Sequence, residues 1–175
     1  MLLFFQIAFA LFLFLLLATT VASLFFKVPY VPSKNHVTKY ILEKAKLKPG
    51  EKIYDLGCGD ARVLIMAEKE YKAIGIGFEI APLIFILGFL RKIISASKFK
   101  IYLKNFHKTS LKDADVIFCY LTPTALKNLV PKIKKECQKG TRIYSNTFRI
   151  PDLKPKKIFP PNPSKEIPVI YFYQI

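Results

Sequence analysis

Tryptophan is absent from the 175 residues, glycine numbers only 7, and cysteine only 3. Cys58, Cys119 and Cys137 stand far apart, with no Cys-x-x-Cys spacing and no Cys/His cluster. That pattern supports neither a disulfide framework nor a zinc site, so no metal is expected. His36 and His107 are isolated and read as structural or solvated. Acidic side chains are also scarce: 12 Asp and Glu against 28 Lys and Arg give a formal net charge of +16. No internal repeat is present, and the length allows one domain plus an appendage.

Charge is missing altogether from residues 1–26, which are mostly Leu, Phe and Ala. A helix of about 20 such residues spans a hydrocarbon core of about 30 Å. Residues 1–26 therefore read as a transmembrane anchor, 27–48 as a linker and lead-in helix, and 49–175 as the core. The first charges are Lys27, Lys34 and Lys39. Basic residues on the C-terminal flank alone predict a single pass with the domain on the cytoplasmic side. A cleaved signal peptide, with Val21-Ala22-Ser23 as its small-residue site, competes with this reading. It would want a basic n-region and an apolar stretch of about 7–15 residues. The basic excess itself has three readings: a lysine-rich surface of no special role, attraction to an anionic bilayer, or nucleic acid. No RNA-binding signature accompanies the last.

The most informative stretch is Lys-Ile-Tyr-Asp-Leu-Gly-Cys-Gly-Asp-Ala at 52–61. An apolar strand enters a glycine turn, and a helical pattern follows. Gly57 and Gly59 let the backbone approach a ligand that a side chain would block. Asp55 and Asp60 flank the turn with negative charge, which disfavours a phosphate at the following helix N-terminus and suits a cationic ligand. Cys58 reads as a small residue inside the turn. A second apolar run, 73–79, ends in Glu79, about 20 positions on, where a carboxylate can accept hydrogen bonds from ribose hydroxyls. The competing readings are a purely structural turn and a surface carboxylate at a strand end.

Here the chain resembles the class I S-adenosylmethionine-dependent methyltransferases, over roughly residues 30–175. Asp-Leu-Gly-Cys-Gly-Asp-Ala-Arg-Val at 55–63 is similar to the family's first motif, with Ala61 in place of its third glycine and little loss expected. The resemblance implies S-adenosylmethionine as cofactor, bound by Asp55, Gly57, Cys58, Gly59, Asp60, Glu79 and Ile80. It also implies Asn105 and Phe106 near the adenine, Asn105 standing where the family usually has Asp. A narrower resemblance is to the small membrane-anchored protein-lysine methyltransferases that act on the ATP synthase c-subunit and the adenine nucleotide translocase. It rests on the N-terminal apolar segment, Pro-Tyr-Val-Pro-Ser at 29–33, Tyr-Leu-Thr-Pro at 120–123 and Lys-Gly-Thr-Arg-Ile at 139–143. By that resemblance Tyr30 and Pro32 form a lid over the cofactor.

The remaining pattern predicts an α/β fold with a mostly parallel sheet; the methyltransferase resemblance implies that it is Rossmann-like with an antiparallel last strand, which the absence of a helix between the fifth strand and the tail fits. Helices are expected from Ser33 or Asn35, as cap, to about Lys46, then over 61–70, 82–96 and 123–138. Strands are expected at 52–56, 73–79, 99–104, 114–120, 141–148, 156–159 and 167–174. The stretch Leu83 to Leu90 is uncharged and apolar all round except for Gly88. It reads either as burial against the sheet or as an outer face dipping into the bilayer.

Tyr120, at the end of the fourth strand, is the candidate for the reaction site and for cofactor contact. It either orients an amine or simply packs. Tyr-Leu-Thr-Pro replaces the Asn/Asp-Pro-Pro-Tyr/Phe motif carried by relatives that methylate amide or adenine nitrogens, which argues against those substrates. The expected function is a membrane-anchored methyltransferase acting on lysine of a membrane-associated protein. The alternatives are an RNA or small-molecule/lipid methyltransferase of the same fold, and a non-catalytic cofactor-binding protein.

Overall fold

A computed structural model gives the architecture; it describes residues 1–26 and 30–175. The start of the expected linker, residues 27–29, lies outside the described residues. Five helices and seven strands follow in order: α1 Leu2–Phe26, α2 Asn35–Ala45, β1 Lys52–Leu56, α3 Arg62–Tyr71, β2 Ile74–Glu79, α4 Pro82–Ile94, β3 Lys100–Leu103, β4 Val116–Cys119, α5 Pro123–Glu136, β5 Arg142–Asn146, β6 Lys157–Phe159 and β7 Ile170–Gln174.

The sheet runs β3-β2-β1-β4-β5-β7-β6. Strands β1 to β5 pair in parallel, and β7 runs antiparallel to both β5 and β6. The strand order reverses between β1 and β4, so their carboxyl ends open a crevice. Side chains alternate across the sheet, as a strand's period of two requires. Ile53, Val116, Phe118 and Tyr144 join α2 and α3 in one core, while Tyr54, Leu56, Ile117, Cys119 and Ile143 join α5 in the other. Gly75 and Gly77 let α3 close on β2: an ideal Cβ on Gly77 would stand 2.6 Å from Leu64 and 2.7 Å from the Cys58 sulfur.

Two local expectations are corrected. Lys34 occupies the N-cap of α2 and caps with no side chain, so neither Ser33 nor Asn35 does that work. Ser33 instead offers its carbonyl to Arg62, at 2.7 Å. Ala61 sits in left-handed backbone, at φ 62 and ψ 17, which an alanine adopts at a cost of about 1–2 kcal/mol. The replacement of glycine there is therefore strained rather than neutral.

Helix α4 does not bury its apolar circumference against the sheet. Only Gly88 is buried, and Ile86, Leu87, Phe89, Leu90, Ile93 and Ile94 are exposed. Helix α1 is long and apolar enough to cross a bilayer, and none of its candidate span, Leu2–Ala22, is buried in the protein. It packs against α4, and Leu15, Ala18, Thr19 and Ala22 are the least exposed positions of its described side chains. There the Leu83 amide donates to Thr19 Oγ1 at 3.0 Å.

Candidate active site

The crevice is formed where β1 and β2 end. Its walls are Asp55, Gly57, Cys58, Gly59, Asp60 and Arg62 from β1 and the turn after it, Glu79 and Ala81 from β2, Phe118 and Tyr120 from β4, and residues 30–33 before α2. The hollow encloses about 570 Å³ including its open mouth. Tyr30 lies against the turn, its ring 2.9 Å from where a Cβ on Gly59 would stand. Gly57 and Gly59 both take positive φ, 80 and 56, which lets the turn fold back tightly. The amides of Gly57 and Cys58 donate to the Phe78 carbonyl at 2.9 and 3.0 Å and tie the turn to β2.

Three carboxylates meet here in different states. Asp55 is 1% exposed, and neither of its oxygens has a hydrogen-bond partner. Burial first, then the charges of Glu79 and Asp60, push its pKa well above the ordinary carboxylate range. Such an orphaned acid is costly to the fold unless a ligand supplies donors. Glu79 is fully engaged: Oε2 accepts from the Gly59 amide at 2.9 Å, and Oε1 accepts from the amides of Ile80 and Ala81 at 2.8 and 2.9 Å. One lone pair remains on Oε2, so the carboxylate can hold the turn and still accept from a ligand. Asp60 is neutralised. Arg62 Nε donates to it at 2.9 Å and Arg91 Nη1 lies 2.6 Å away. Burial opposes its ionisation, but these guanidinium contacts outweigh burial and hold its pKa below the usual range. The negative charge expected of Asp60 is thus already spent within the protein.

Cys58 stays a thiol, because burial and then the charges of Asp55 and Glu79 raise its pKa well above the ordinary value. Tyr120 lines the hollow. Three expected residues stand apart from it. Ile80 contributes its amide to Glu79 rather than a wall. Asn105 accepts from the His107 amide at 2.9 Å and caps a short 3-10 turn, and Phe106 packs against the α5 core. Sequence reasoning missed Arg62 and Arg91, which brace the crevice through Asp60. The signal for Gly88 was visible but unused: a lone glycine inside a helix costs about 1 kcal/mol against alanine. In the fold it lets α4 reach the turn, for a Cβ there would stand 2.8 Å from the Gly59 carbonyl oxygen. Among the described residues no cluster of His, Cys, Asp and Glu could hold a metal ion.

A sheet of this order, with a glycine turn after β1 and acids at the ends of β1 and β2, is the arrangement expected of a class I methyltransferase, the S-adenosylmethionine-dependent kind, and the chain's kinship makes it one. An RNA methyltransferase from Salinibacter ruber, solved with S-adenosyl-L-homocysteine, has the same fold: TM-score 0.77, 24% identity, covering 83% of this chain and 94% of that one. Residues 55–157 match the family described as the ANTKMT methyltransferase domain. A protein-lysine N-methyltransferase of Saccharolobus islandicus is 32% identical over 151 residues, 85% of this chain and 94% of that protein. The adenine nucleotide translocase lysine N-methyltransferase of Mus musculus is 28% identical over 131 residues, and the match spans 74% of this chain but 57% of the mouse protein. The chain belongs to the ANTKMT methyltransferase family, among the protein-lysine methyltransferases.

Proposed function

We propose that this chain is a single-pass membrane methyltransferase that transfers a methyl group from S-adenosylmethionine to a lysine side chain of a membrane-associated protein. The observation that carries the cofactor half is Asp55: a buried carboxylate without a partner, in a hollow beside a glycine turn, fits a ligand bearing an ammonium group and a sulfonium. In this reading Asp55 faces the cationic part of the cofactor, the backbone of Gly57, Cys58 and Gly59 lies against it, and Glu79 accepts from its ribose hydroxyls. When bound, the cofactor supplies an electrophilic methyl carbon. The chain's own contribution is alignment and exclusion of water, which can provide most of the acceleration for a direct displacement. Tyr120 at the rim of the hollow is the candidate for orienting the incoming amine.

The acceptor half rests on kinship and on architecture. The family's protein-lysine methyltransferases support lysine. The mouse relative is named for its action on the adenine nucleotide translocase. An apolar helix at 1–26 supports a membrane location, with 27–48 leading into a core at 49–175. The flanking lysines support a cytoplasmic domain. Membranes containing the full-length protein, incubated with methyl-labelled S-adenosylmethionine, test the whole reading. Label that survives nuclease and solvent extraction but is released by protease, and that appears as methyl-lysine on hydrolysis, is the expected result. Label removed by nuclease would favour RNA; label extracted with lipid would favour a lipid acceptor.

A further inference from the structure

Helix α4 is amphipathic in the wrong sense for a soluble protein. Its inner side is small or polar where it meets the glycine turn, through Gly88 and through Arg91, which reaches Asp60. Its outer side is wholly apolar. At 100° per residue, Phe89, Ile93, Ile86, Leu90, Ile94 and Leu87 fall on one continuous arc, and all six are exposed, Ile94 at 84%. An exposed patch of this kind marks a surface that something covers.

Two observations identify the occupant. The patch continues onto α1, and the contact between the two helices lies inside the candidate span: Thr19, hydrogen-bonded to the α4 amide of Leu83, falls within Leu2–Ala22. Thr19 precedes the end of α1 at Phe26 by a rise of about 10 Å. That is the depth, about 5–10 Å, at which interfacial helices lie in the headgroup–acyl boundary. Charge agrees. From Ile80 to Lys112 the chain has no acidic residue, while Lys92 on α4 and Lys98, Lys100 and Lys104 in the segment after it are basic. Each such cation near an anionic leaflet contributes about 1 kcal/mol.

Resting on the reading of α1 as a membrane span, we propose that the outer face of α4 lies in the interface of the same anionic bilayer. It forms a second contact that fixes how the domain sits on the membrane. The inner side of α4 abuts Gly59, so the cofactor turn stands about one helix diameter, roughly 10 Å, from the lipid. A lysine presented just above the headgroups is then within reach of the crevice, whereas one far out in solution is not favoured. α1 alone is a tether and leaves the domain free to rotate; α4 removes that freedom.

The absence of tryptophan makes the test direct. Three single-tryptophan variants of the full-length chain, Ile94→Trp, Leu16→Trp and Ile158→Trp, are placed in vesicles of phosphatidylcholine and phosphatidylglycerol, with and without lipids brominated on the acyl chain. Ile94 is so exposed that the substitution disturbs no packing, and Leu90→Trp provides a second probe of the same arc. The expected result is blue-shifted emission from Ile94→Trp and Leu90→Trp, losing roughly half its intensity to the bromines at interfacial depth. Leu16→Trp is quenched as well, and Ile158→Trp, on the far edge strand, is unaffected. If Leu16→Trp is quenched and both α4 probes emit as in water, the inference is overturned while the anchor stands. If Leu16→Trp is also unquenched, the anchor fails and the inference with it. A blue shift on α4 that ignores the bromines and fades on dilution assigns the face to a second copy of the chain and overturns the proposal.

Discussion

Replacing Asp55 by Asn has two opposite effects if the crevice works as described. The substitution keeps the shape of a side chain that is 1% exposed and removes the ionisable proton of an acid that no hydrogen bond satisfies. The amide is as unsatisfied as the protonated acid, so without ligand the folded state gains only what the wild type loses by holding that acid un-ionised, about 1.4 kcal/mol for each pH unit between the ordinary and the raised pKa. In a chain of this size each kcal/mol moves the melting midpoint by about 2–4 °C. The sign with pH follows from the raised pKa of Asp55. A raised folded value means the wild type's contribution is fully present below about pH 3.9, the ordinary Asp value. It is lost as pH rises through the raised one. The advantage of the Asn variant thus grows with pH. With ligand the effect reverses: losing one partner of a buried charged contact costs about 2–5 kcal/mol, or about 30-fold to several-thousand-fold in affinity. Melting followed by circular dichroism across pH, together with calorimetric titration of S-adenosylmethionine, reads both. A variant that is less stable than the wild type at neutral pH, or that binds the cofactor undiminished, refutes the reasoning.

The other expectations follow from the neighbouring contacts. Glu79→Gln lowers the melting midpoint, the opposite of Asp55→Asn, because an amide cannot accept from both Gly59 and the Ile80–Ala81 pair; the loss is about 1–3 kcal/mol, read by thermal melting. Asp60→Asn leaves Arg62 and Arg91 without their partner and costs about 1–3 kcal/mol after allowing for the partial exposure of Arg91. Since the pKa of Asp60 is depressed, that stabilisation is present above about pH 3.9. It is lost as pH falls through the lowered value, so the gap from wild type in melting experiments closes in acid. Gly88→Val drives a side chain into the Gly59 carbonyl and Ile101; overpacking of this kind costs about 1–3 kcal/mol, and calorimetry should register weaker cofactor binding because the turn is displaced.

Much of the fold was legible because it rests on short-range signals. The strand-turn-helix at 52–71 announced itself by an apolar run, two glycines and a helical period; the antiparallel final strand was implied by the family resemblance, with which the lack of helical pattern after β5 agreed. Within the site, Asp55 and Glu79 were readable from spacing. What the two acids do was not, since sequence does not reveal that Glu79 is occupied by three amides while Asp55 has none. Asp60 was read as free charge because Arg91 lies 31 positions away, on a helix whose approach depends on Gly88. Asn105 was placed by analogy, and sequence does not reveal that its side-chain oxygen accepts from the His107 amide, a local contact that Asn makes readily. The exposure of α4 was undecidable from sequence. An uncharged run such as Leu83–Leu90 satisfies a buried helix and an exposed one alike, and only the fold shows that its outer face is not covered by the sheet.

The most direct test of the central claim is a calorimetric titration of the full-length protein with S-adenosylmethionine, run in buffers of different ionisation enthalpy. The account predicts saturable binding at one site per chain, with proton release as the cation draws Asp55 into its ionised form, and loss of both in Asp55→Asn. No saturable heat from the wild-type protein, or binding with no proton release that persists in the variant, would contradict it.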